Sequence, residues 1–168
     1  SGGLVICQDK SKLDKTAAKK KIETCLKHNF YWGQREWPYK NVTPRILAEP
    51  YLTDGSGELP DYKVHSFNGV PKVILVCRDR FAESGLTEDF YTTEWEHLDI
   101  KRPEHSNAST PDAMPEELVE MVDLSQKLSE HISFLRTDFY TIDHKLYFGE
   151  LTFFPSSGFA GFDPEKYD

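Results

Sequence analysis

Four polar residues near the end of the chain have the types and spacing to bind a metal ion and phosphate groups. Arg136 and Asp138 are two residues apart, and Glu150 and Thr152 repeat that spacing further along the chain. Mg²⁺ prefers hard oxygen ligands such as carboxylates, usually together with water and substrate phosphates. An arginine guanidinium can donate two parallel hydrogen bonds to a phosphate. The four residues therefore indicate a site for Mg²⁺ and a polyphosphate.

Both pairs lie in stretches whose apolar and polar residues alternate, which predicts neighbouring strands over residues 134–141 and 145–153. Side chains two residues apart on a strand share a face of the sheet. If the two strands pair, we expect Asp138 and Glu150 to meet on one face, where a cation would relieve their repulsion. An ordinary structural ion pair on an exposed sheet face is the alternative interpretation.

Two further groups of residues have the chemistry to contact a nucleotide. The run Ser-Gly-Gly at residues 1–3 would let backbone amides approach phosphate, although a purification-tag remnant has the same composition. The stretch 45–52 would present backbone groups to an adenine edge. Asp61 would accept hydrogen bonds from ribose hydroxyls, and Lys63 would face phosphate. Ordinary strand ends with charged, solvent-facing residues would show the same spacing.

The elements that must position these residues form an α+β pattern, an antiparallel sheet with helices on one side. Asn68-Gly69 between two alternating runs is a strong hairpin signal, and Asp143-His144 is the predicted turn of the terminal hairpin. The polar stretch 79–115 predicts a long irregular excursion. The other predicted elements are strands over 3–7, 45–52, 63–67 and 72–77, a helix from its cap at Ser11 to Lys27, and an amphipathic helix from Pro115 to Ile132.

The composition restricts location and partners. The chain has 168 residues and a net charge of −8, so nucleic acid and anionic membranes are unfavourable partners. No apolar stretch approaches the roughly 18 residues that a membrane span needs, and the first residues predict no signal peptide. The three cysteines have no zinc-type spacing, which favours reduced residues in a cytoplasmic protein. The six histidines are scattered, and none is spaced for a nucleophilic triad.

Five separated runs carry a family resemblance: residues 37–49 (WPYKNVTPRILAE), 59–63 (LPDYK), 67–72 (FNGVPK), 136–140 (RTDFY) and 149–159 (GELTFFPSSGF). Together they resemble the ATP-grasp superfamily, and within it the teichuronopeptide-biosynthesis, or TupA-like, type. The runs occur in order over nearly the whole chain. No single run would be specific, but the set is.

The resemblance implies an ATP-grasp fold, in which two α+β subdomains clamp ATP between antiparallel sheets. It implies an ATP- and Mg²⁺-dependent ligase that activates a carboxylate as an acyl phosphate, which an amine or another nucleophile then attacks. The substrate would be a carboxylate-bearing amino acid or sugar. The implied setting is bacterial cell-surface polysaccharide or teichuronopeptide synthesis, in association with glycosyltransferases.

The resemblance also implies roles for particular residues. Asp138 and Glu150 match the two metal-binding carboxylates, and Thr152 stands where many ATP-grasp enzymes have a metal-binding asparagine. Arg136 and Lys63 match a catalytic arginine and a lysine that faces the nucleotide. The implied nucleotide-binding residues are Ser1, Gly2 and Gly3 in a glycine-rich loop, Glu49, Tyr51 and Leu52 beside the adenine, Asp61 on the ribose, and Lys63.

Relatives carry a strand with a nucleotide-binding lysine ahead of the glycine-rich loop, and this chain begins inside that loop. We therefore expect a fold that is incomplete at its N-terminus. Residues 1–50 would complete the glycine-loop subdomain, and 51–168 would form the metal and nucleotide subdomain. We expect weak or absent ATP turnover by these 168 residues alone, and self-association through uncovered sheet edges.

Two other functions remain open. A non-catalytic module would hold a nucleotide or a sugar precursor next to a glycosyltransferase. A kinase-like enzyme would transfer phosphate from ATP to a sugar hydroxyl with the same residues. Phosphate release that depends on an added acceptor distinguishes an enzyme from the module, and the mass of the product distinguishes an amide from a phosphate ester.

Overall fold

The computed structural model describes residues 3–80, 82–83 and 85–167 of the chain. The chain forms two compact units, Ser1–Leu52 and Thr53–Asp168. Within the described ranges, no helix is both long enough and apolar enough to cross a membrane.

The first helix of the first unit, α1 (Lys15–Leu26), begins later than the sequence predicted. Asp14 caps it, because its carboxylate accepts hydrogen bonds from the backbone N–H groups of Thr16 and Ala17, both at 2.9 Å. Asp14 thus satisfies two of the N–H groups that a helix leaves unpaired at its start, and its negative charge is favourable next to the helix N-terminus. Ser11, the predicted cap, lies instead in a separate 3₁₀ turn before the helix.

The two strands predicted in the first unit do not form. Residues 3–7 and 45–52 have irregular backbone, and a second short helix, α2 (Phe30–Gln34), lies between them. A strand needs a neighbour that completes its backbone hydrogen bonds. The described residues of this unit provide no strand to pair with, so apolar patterning alone was insufficient and both predictions were wrong.

A six-stranded antiparallel sheet forms the framework of the second unit, with the order β4-β3-β2-β1-β5-β6. Both predicted turns are confirmed: Asn68-Gly69 connects β1 to β2, and Asp143-His144 connects β5 to β6, with positive φ at all four residues. The strands are β1 Asp61–Phe67, β2 Val70–Arg78, β3 Thr87–Thr92, β4 His97–Leu98, β5 Phe134–Ile142 and β6 Lys145–Thr152.

The excursion over residues 79–115 is more regular than predicted, because it contains β3 and β4. β3 pairs along its whole length with β2, which supplies the ladder that the sequence pattern did not reveal. Two buried polar side chains of β3 hold the remaining irregular chain against the sheet. Asp89 Oδ2 accepts from the Ala108 N–H at 2.8 Å, and the Tyr91 hydroxyl accepts from the Asp112 N–H at 2.7 Å.

The third helix, α3 (Leu118–Leu128), covers one face of the sheet. It is shorter than the predicted helix, which was expected to run from Pro115 to Ile132. Its apolar side buries Leu118 and Met121, and the expected α+β architecture with a helix on an antiparallel sheet is confirmed. The main core consists of Tyr62, Val64, Ile74, Val76, Tyr91, Leu118, Met121 and Phe139.

The opposite face of the sheet has a smaller apolar cluster, formed by Leu75 and Cys77 of β2, Phe90 of β3, and Ile100, which follows β4. Phe162 packs against this cluster, and Lys101 and Asp163 exchange backbone hydrogen bonds. The chain that follows β6 therefore returns over this face. On β1 and β5, the same face carries the charged side chains of Lys63 and Asp138, which are opposite each other.

Candidate functional site

The charged side chains come together because two central strands, β1 and β5, pair in antiparallel register. Lys63 is opposite Asp138, and His65 is opposite Arg136. Since side chains alternate between faces, Asp61 lies on the same face as Lys63. Four of the residues singled out in the sequence, Asp61, Lys63, Arg136 and Asp138, thus meet on adjacent strands, although 75 residues separate Lys63 from Asp138.

A continuous chain of ion pairs links these residues, which we call the ion-pair row: Asp61, Lys63, Asp138, Arg136 and Glu150. Lys63 Nζ donates to Asp61 Oδ2 at 2.5 Å and to Asp138 Oδ2 at 2.6 Å. Arg136 binds Asp138 with both arms of its guanidinium, Nε to Oδ1 and Nη2 to Oδ2, each at 2.7 Å. The same Nη2 reaches Glu150 Oε1 at 2.9 Å.

The ion-pair row is buried at one end and open at the other. Asp138 is 2% exposed and Lys63 8% exposed, whereas the side chain of Glu150 is 64% exposed. Ions in a weakly solvated environment interact strongly with one another, and removing one partner leaves an uncompensated charge. The buried end therefore provides a rigid electrostatic framework, and the open end exposes the Glu150 carboxylate to solvent.

The neighbouring carboxylates keep Lys63 and Arg136 protonated. Burial by itself would lower the pKa of Lys63, but Asp138 and Asp61 outweigh it and raise that pKa above its ordinary value. Arg136 follows the same pattern: burial opposes its charge, and the hydrogen-bonded Asp138 carboxylate raises its pKa. Two positive charges therefore lie permanently on this face, as binding of a polyphosphate would require.

Asp61 has an unused acceptor at the inner end of the row. Its Oδ2 accepts from Lys63 Nζ and also from Arg80 Nη2, at 3.2 Å. Arg80 was not among the residues singled out in the sequence. The Oδ1 atom of Asp61 is buried and, among the described residues, has no hydrogen-bond partner. An unpaired buried acceptor costs free energy, so this oxygen is suited to accept a hydrogen bond from a bound ligand.

A β-bulge brings Glu150 to the face of Asp138. Thr137 pairs with Leu151 but Phe139 pairs with Phe148, so β6 has two residues, Gly149 and Glu150, where β5 has one. Had the register next to the turn continued, Glu150 would be opposite Thr137 and would lie on the other face. The predicted meeting of Asp138 and Glu150 thus depends on one extra residue in β6.

Gly149→Ala is expected to disturb this bulge. A Cβ at Gly149 would lie 3.1 Å from the backbone oxygen of Asp138 and 3.2 Å from the Tyr140 ring, so the backbone must shift. We expect a loss of about 1–3 kcal/mol in the free energy of unfolding, measured by urea denaturation. Gly161→Ala is the matched control, since no atom lies within 4 Å of a Cβ there. Equal stability of the two variants would contradict a tight bulge.

His65 borders the row and is one of the six scattered histidines to which the sequence assigned no role in a nucleophilic triad. Its Nδ1 is 3.1 Å from the Lys63 carbonyl oxygen. Burial, reinforced by the positive charge of Arg136 and opposed by Asp138, lowers the pKa of His65 from 6.5 to about 4. The imidazole is therefore neutral at pH 7. The two-residue spacing from Lys63 was the signal that places it on the same face.

The depressed pKa of His65 makes stability depend on pH. Between pH 6.5 and about 4 the unfolded chain binds a proton that the folded chain does not, so stability falls as the pH decreases through this window. At pH 5 this residue is expected to cost about 2 kcal/mol relative to pH 7. Urea midpoints at both pH values would measure the loss, which His65→Gln should reduce and His131→Gln, at an exposed position, should not.

Cys77 lies beside the row and does not supply a nucleophile. It is opposite Asp61 on one side and Glu88 on the other. Burial raises the pKa of the Cys77 thiol to about 12, and the nearby Glu88 carboxylate acts in the same direction. Because the thiolate is the reactive form, the face is suited to ionic binding and not to thiol chemistry.

The open end of the row has oxygen ligands that fit Mg²⁺ in the presence of phosphate. Glu150 Oε1 also accepts from the Thr152 hydroxyl at 3.2 Å. Since one arginine nitrogen contacts both Asp138 Oδ2 and Glu150 Oε1, these oxygens share a side of the sheet. No group of three or more His, Cys, Asp or Glu side chains in the described part of the chain is arranged to hold a metal. Two carboxylates therefore need further oxygens, which a polyphosphate supplies.

The other residues that the sequence predicted to contact a nucleotide belong to the first unit. Ser1 and Gly2 lie outside the described residues. Gly3 packs closely, because a Cβ there would lie 3.2 Å from the Cβ of Cys25. Glu49, Tyr51 and Leu52 follow one another in irregular chain at the end of this unit, where the Tyr51 hydroxyl accepts from Gln8 at 2.9 Å.

The antiparallel sheet and its covering helix form an α+β domain with an ATP-grasp-like fold. The particular family follows from comparison with family models. The model described as TupA-like ATPgrasp matches residues 1–168, so the chain belongs to that family. Comparisons with curated proteins and with solved structures found no significant match. Membership confirms the resemblance seen in the sequence and indicates an ATP-dependent function of ligase type.

Proposed function

We propose that this domain is the core of an ATP- and Mg²⁺-dependent ligase that activates a carboxylate as an acyl phosphate. The observation that carries the proposal is the ion-pair row, where two cations and three carboxylates of the sequence prediction occupy one sheet face. An amine or another nucleophile would then attack the acyl carbon and displace phosphate. The acceptor would be a carboxylate-bearing amino acid or sugar.

The side chains have separate roles in this reaction. Lys63 and Arg136 hold the phosphates and offset the negative charge that develops as the bond from the γ-phosphorus to the bridging oxygen breaks. Asp138, Glu150 and Thr152 would hold Mg²⁺, which when bound polarises the phosphoryl oxygens. The free Asp61 Oδ1 would accept a hydrogen bond from a ribose hydroxyl, and Arg80 keeps the other Asp61 oxygen in place.

The remaining nucleotide contacts and the biological setting are part of the same proposal. Gly3 and its two predecessors would contact phosphate, and the backbone at Glu49, Tyr51 and Leu52 would contact adenine. Residues 1–50 and 51–168 would act as two subdomains of one ATP-binding domain. The enzyme would work in the bacterial cytoplasm on cell-surface polysaccharide or teichuronopeptide, in association with glycosyltransferases.

The test is formation of ADP by the full-length protein with Mg²⁺·ATP in the presence and absence of candidate acceptors. We expect ADP and phosphate to appear only when an acid acceptor and an amine are both present, with an amide as product. Saturable binding of Mg²⁺·ATP in calorimetry without ADP formation under any condition would contradict a ligase and favour a binding module. A phosphate ester of the acceptor would instead identify a kinase.

A further inference from the structure

The carboxylate of Asp138 is fully engaged by side-chain cations. Its Oδ1 accepts from Arg136 Nε, and its Oδ2 accepts from both Arg136 Nη2 and Lys63 Nζ, all within 2.7 Å. A metal ion that binds this carboxylate directly competes with at least one of these donors. Asp138 is also 2% exposed, so water does not compensate for a badly balanced charge there.

The charges of the cluster already balance without a metal ion. Asp61, Asp138 and Glu150 contribute three negative charges. Lys63, Arg80 and Arg136 contribute three positive charges, each within hydrogen-bond distance of one of those carboxylates. A divalent cation that entered alone would leave two uncompensated positive charges in this cluster. A divalent cation that enters with a polyphosphate brings its own negative charge.

Lys63 is the cation of the cluster that can leave Asp138 most easily. It makes a single hydrogen bond to that carboxylate, whereas Arg136 is held by two parallel bonds and by Glu150. Its ammonium is a point charge on a flexible stem and has no fixed plane to align. When Lys63 leaves, Asp61 still has Arg80 as a partner at 3.2 Å.

We propose that Lys63 is a built-in counter-ion that keeps divalent metal off Asp138 until nucleotide phosphates draw its ammonium away, so that metal and nucleotide bind only together. This inference rests on the proposed function, and it adds an order to the binding events. Lys63 is then a positioning residue with two partners: the carboxylates in the free protein and phosphate in the loaded one. Free metal ions would not occupy the site in the absence of nucleotide.

The direct test is binding of Mn²⁺ alone, without nucleotide, to the full-length Lys63→Met variant, measured by calorimetry and by the spin-resonance signal of free Mn²⁺. We expect affinity for Mn²⁺ to rise by roughly ten-fold or more over wild type, since one positive charge near the metal is lost. The melting temperature of the variant should rise with added Mn²⁺, while that of wild type should not. Adding Asp138→Asn to the variant should remove both gains.

Lys72→Met is the matched control, because Lys72 is an exposed lysine on the neighbouring strand β2. It should bind Mn²⁺ as wild type does. Circular dichroism establishes whether Lys63→Met is folded.

Wild-type affinity for Mn²⁺ with and without ADP gives a second test that does not require this variant, and we expect tight binding only with ADP.

Two results would overturn the counter-ion role. One is tight binding of Mn²⁺ by wild type in the absence of nucleotide, and the other is a folded Lys63→Met protein with unchanged affinity. These outcomes differ from failure of the proposed function. If Lys63→Met raises the affinity for Mn²⁺ but the full-length wild-type protein never forms ADP, the counter-ion role of Lys63 is supported and the ligase proposal is contradicted.

Discussion

Glu150→Gln is expected to reduce ADP formation by the full-length protein by roughly 100-fold or more. The substitution keeps the size of the side chain and removes the negative charge that a Mg²⁺ ligand must supply. The free energy of unfolding should stay within about 0.5 kcal/mol of wild type, because the side chain is 64% exposed and exposed ion pairs contribute little. Steady-state ADP release and urea denaturation measure the two quantities.

The matched control is Glu96→Gln, at an exposed position in the turn between β3 and β4. It removes the same charge from the same unit and should leave turnover unchanged. If Glu150→Gln and Glu96→Gln turned over ATP equally fast, Glu150 would have no role in the reaction. The metal assignment at the open end of the row would then be lost, although the fold would not be in question.

Asp138→Asn is expected to damage both stability and turnover. The amide cannot compensate Lys63 and Arg136, and removing one partner from buried ion pairs typically costs about 3–5 kcal/mol. For a chain of this length, a loss near the lower end lowers the melting temperature by about 10 °C. Differential scanning calorimetry measures the change, and loss of ADP formation should accompany it at temperatures where the variant is folded.

Asp123→Asn provides the comparison for this second variant, since Asp123 is an exposed aspartate on α3. Its stability should stay within about 0.5 kcal/mol of wild type. An Asp138→Asn protein as stable as this control would show that Asp138 does not compensate the two cations as the distances imply. Comparison of Glu150→Gln with Asp138→Asn thus distinguishes the open end of the ion-pair row, which is expected to affect turnover alone, from the buried end, which is expected to affect stability as well.

The parts of the fold that the sequence predicted correctly are those with strong local signals. Asn68-Gly69 and Asp143-His144 adopt positive φ because asparagine, aspartate and glycine accept that conformation more easily than other residues do. The apolar side of α3 was visible in the spacing of Leu118 and Met121. These elements depend on interactions within a few residues, which a single sequence contains.

The wrong predictions concern elements that need a distant partner. Residues 3–7 and 45–52 have apolar patterns typical of strands but find no neighbour within the described first unit. β3 was missed for the opposite reason, since β2 provides its ladder from an earlier part of the chain. Hydrogen bonds between strands join residues far apart in sequence, so local patterning cannot decide whether they form.

By itself, the sequence determined the chemical types at the site and which residues of the same regular strand share a face. The two-residue spacing of Arg136 with Asp138 places this pair on one face through strand alternation. The structure added Asp61 to the face of Lys63, because β1 begins at Asp61 and not at the predicted residue 63. Family resemblance added ATP-grasp membership, which the family model confirms over residues 1–168.

Only the tertiary structure decided that Glu150 joins Asp138. Regular pairing from the Asp143-His144 turn would have placed Glu150 on the face of Thr137, because each step along a strand reverses the face. The extra residue at Gly149 moves Glu150 back to the face of Asp138. That bulge is possible because a glycine fits against the Asp138 backbone, where a Cβ would lie at 3.1 Å. Register is a property of two paired strands, so the residue pattern of either strand alone does not specify it.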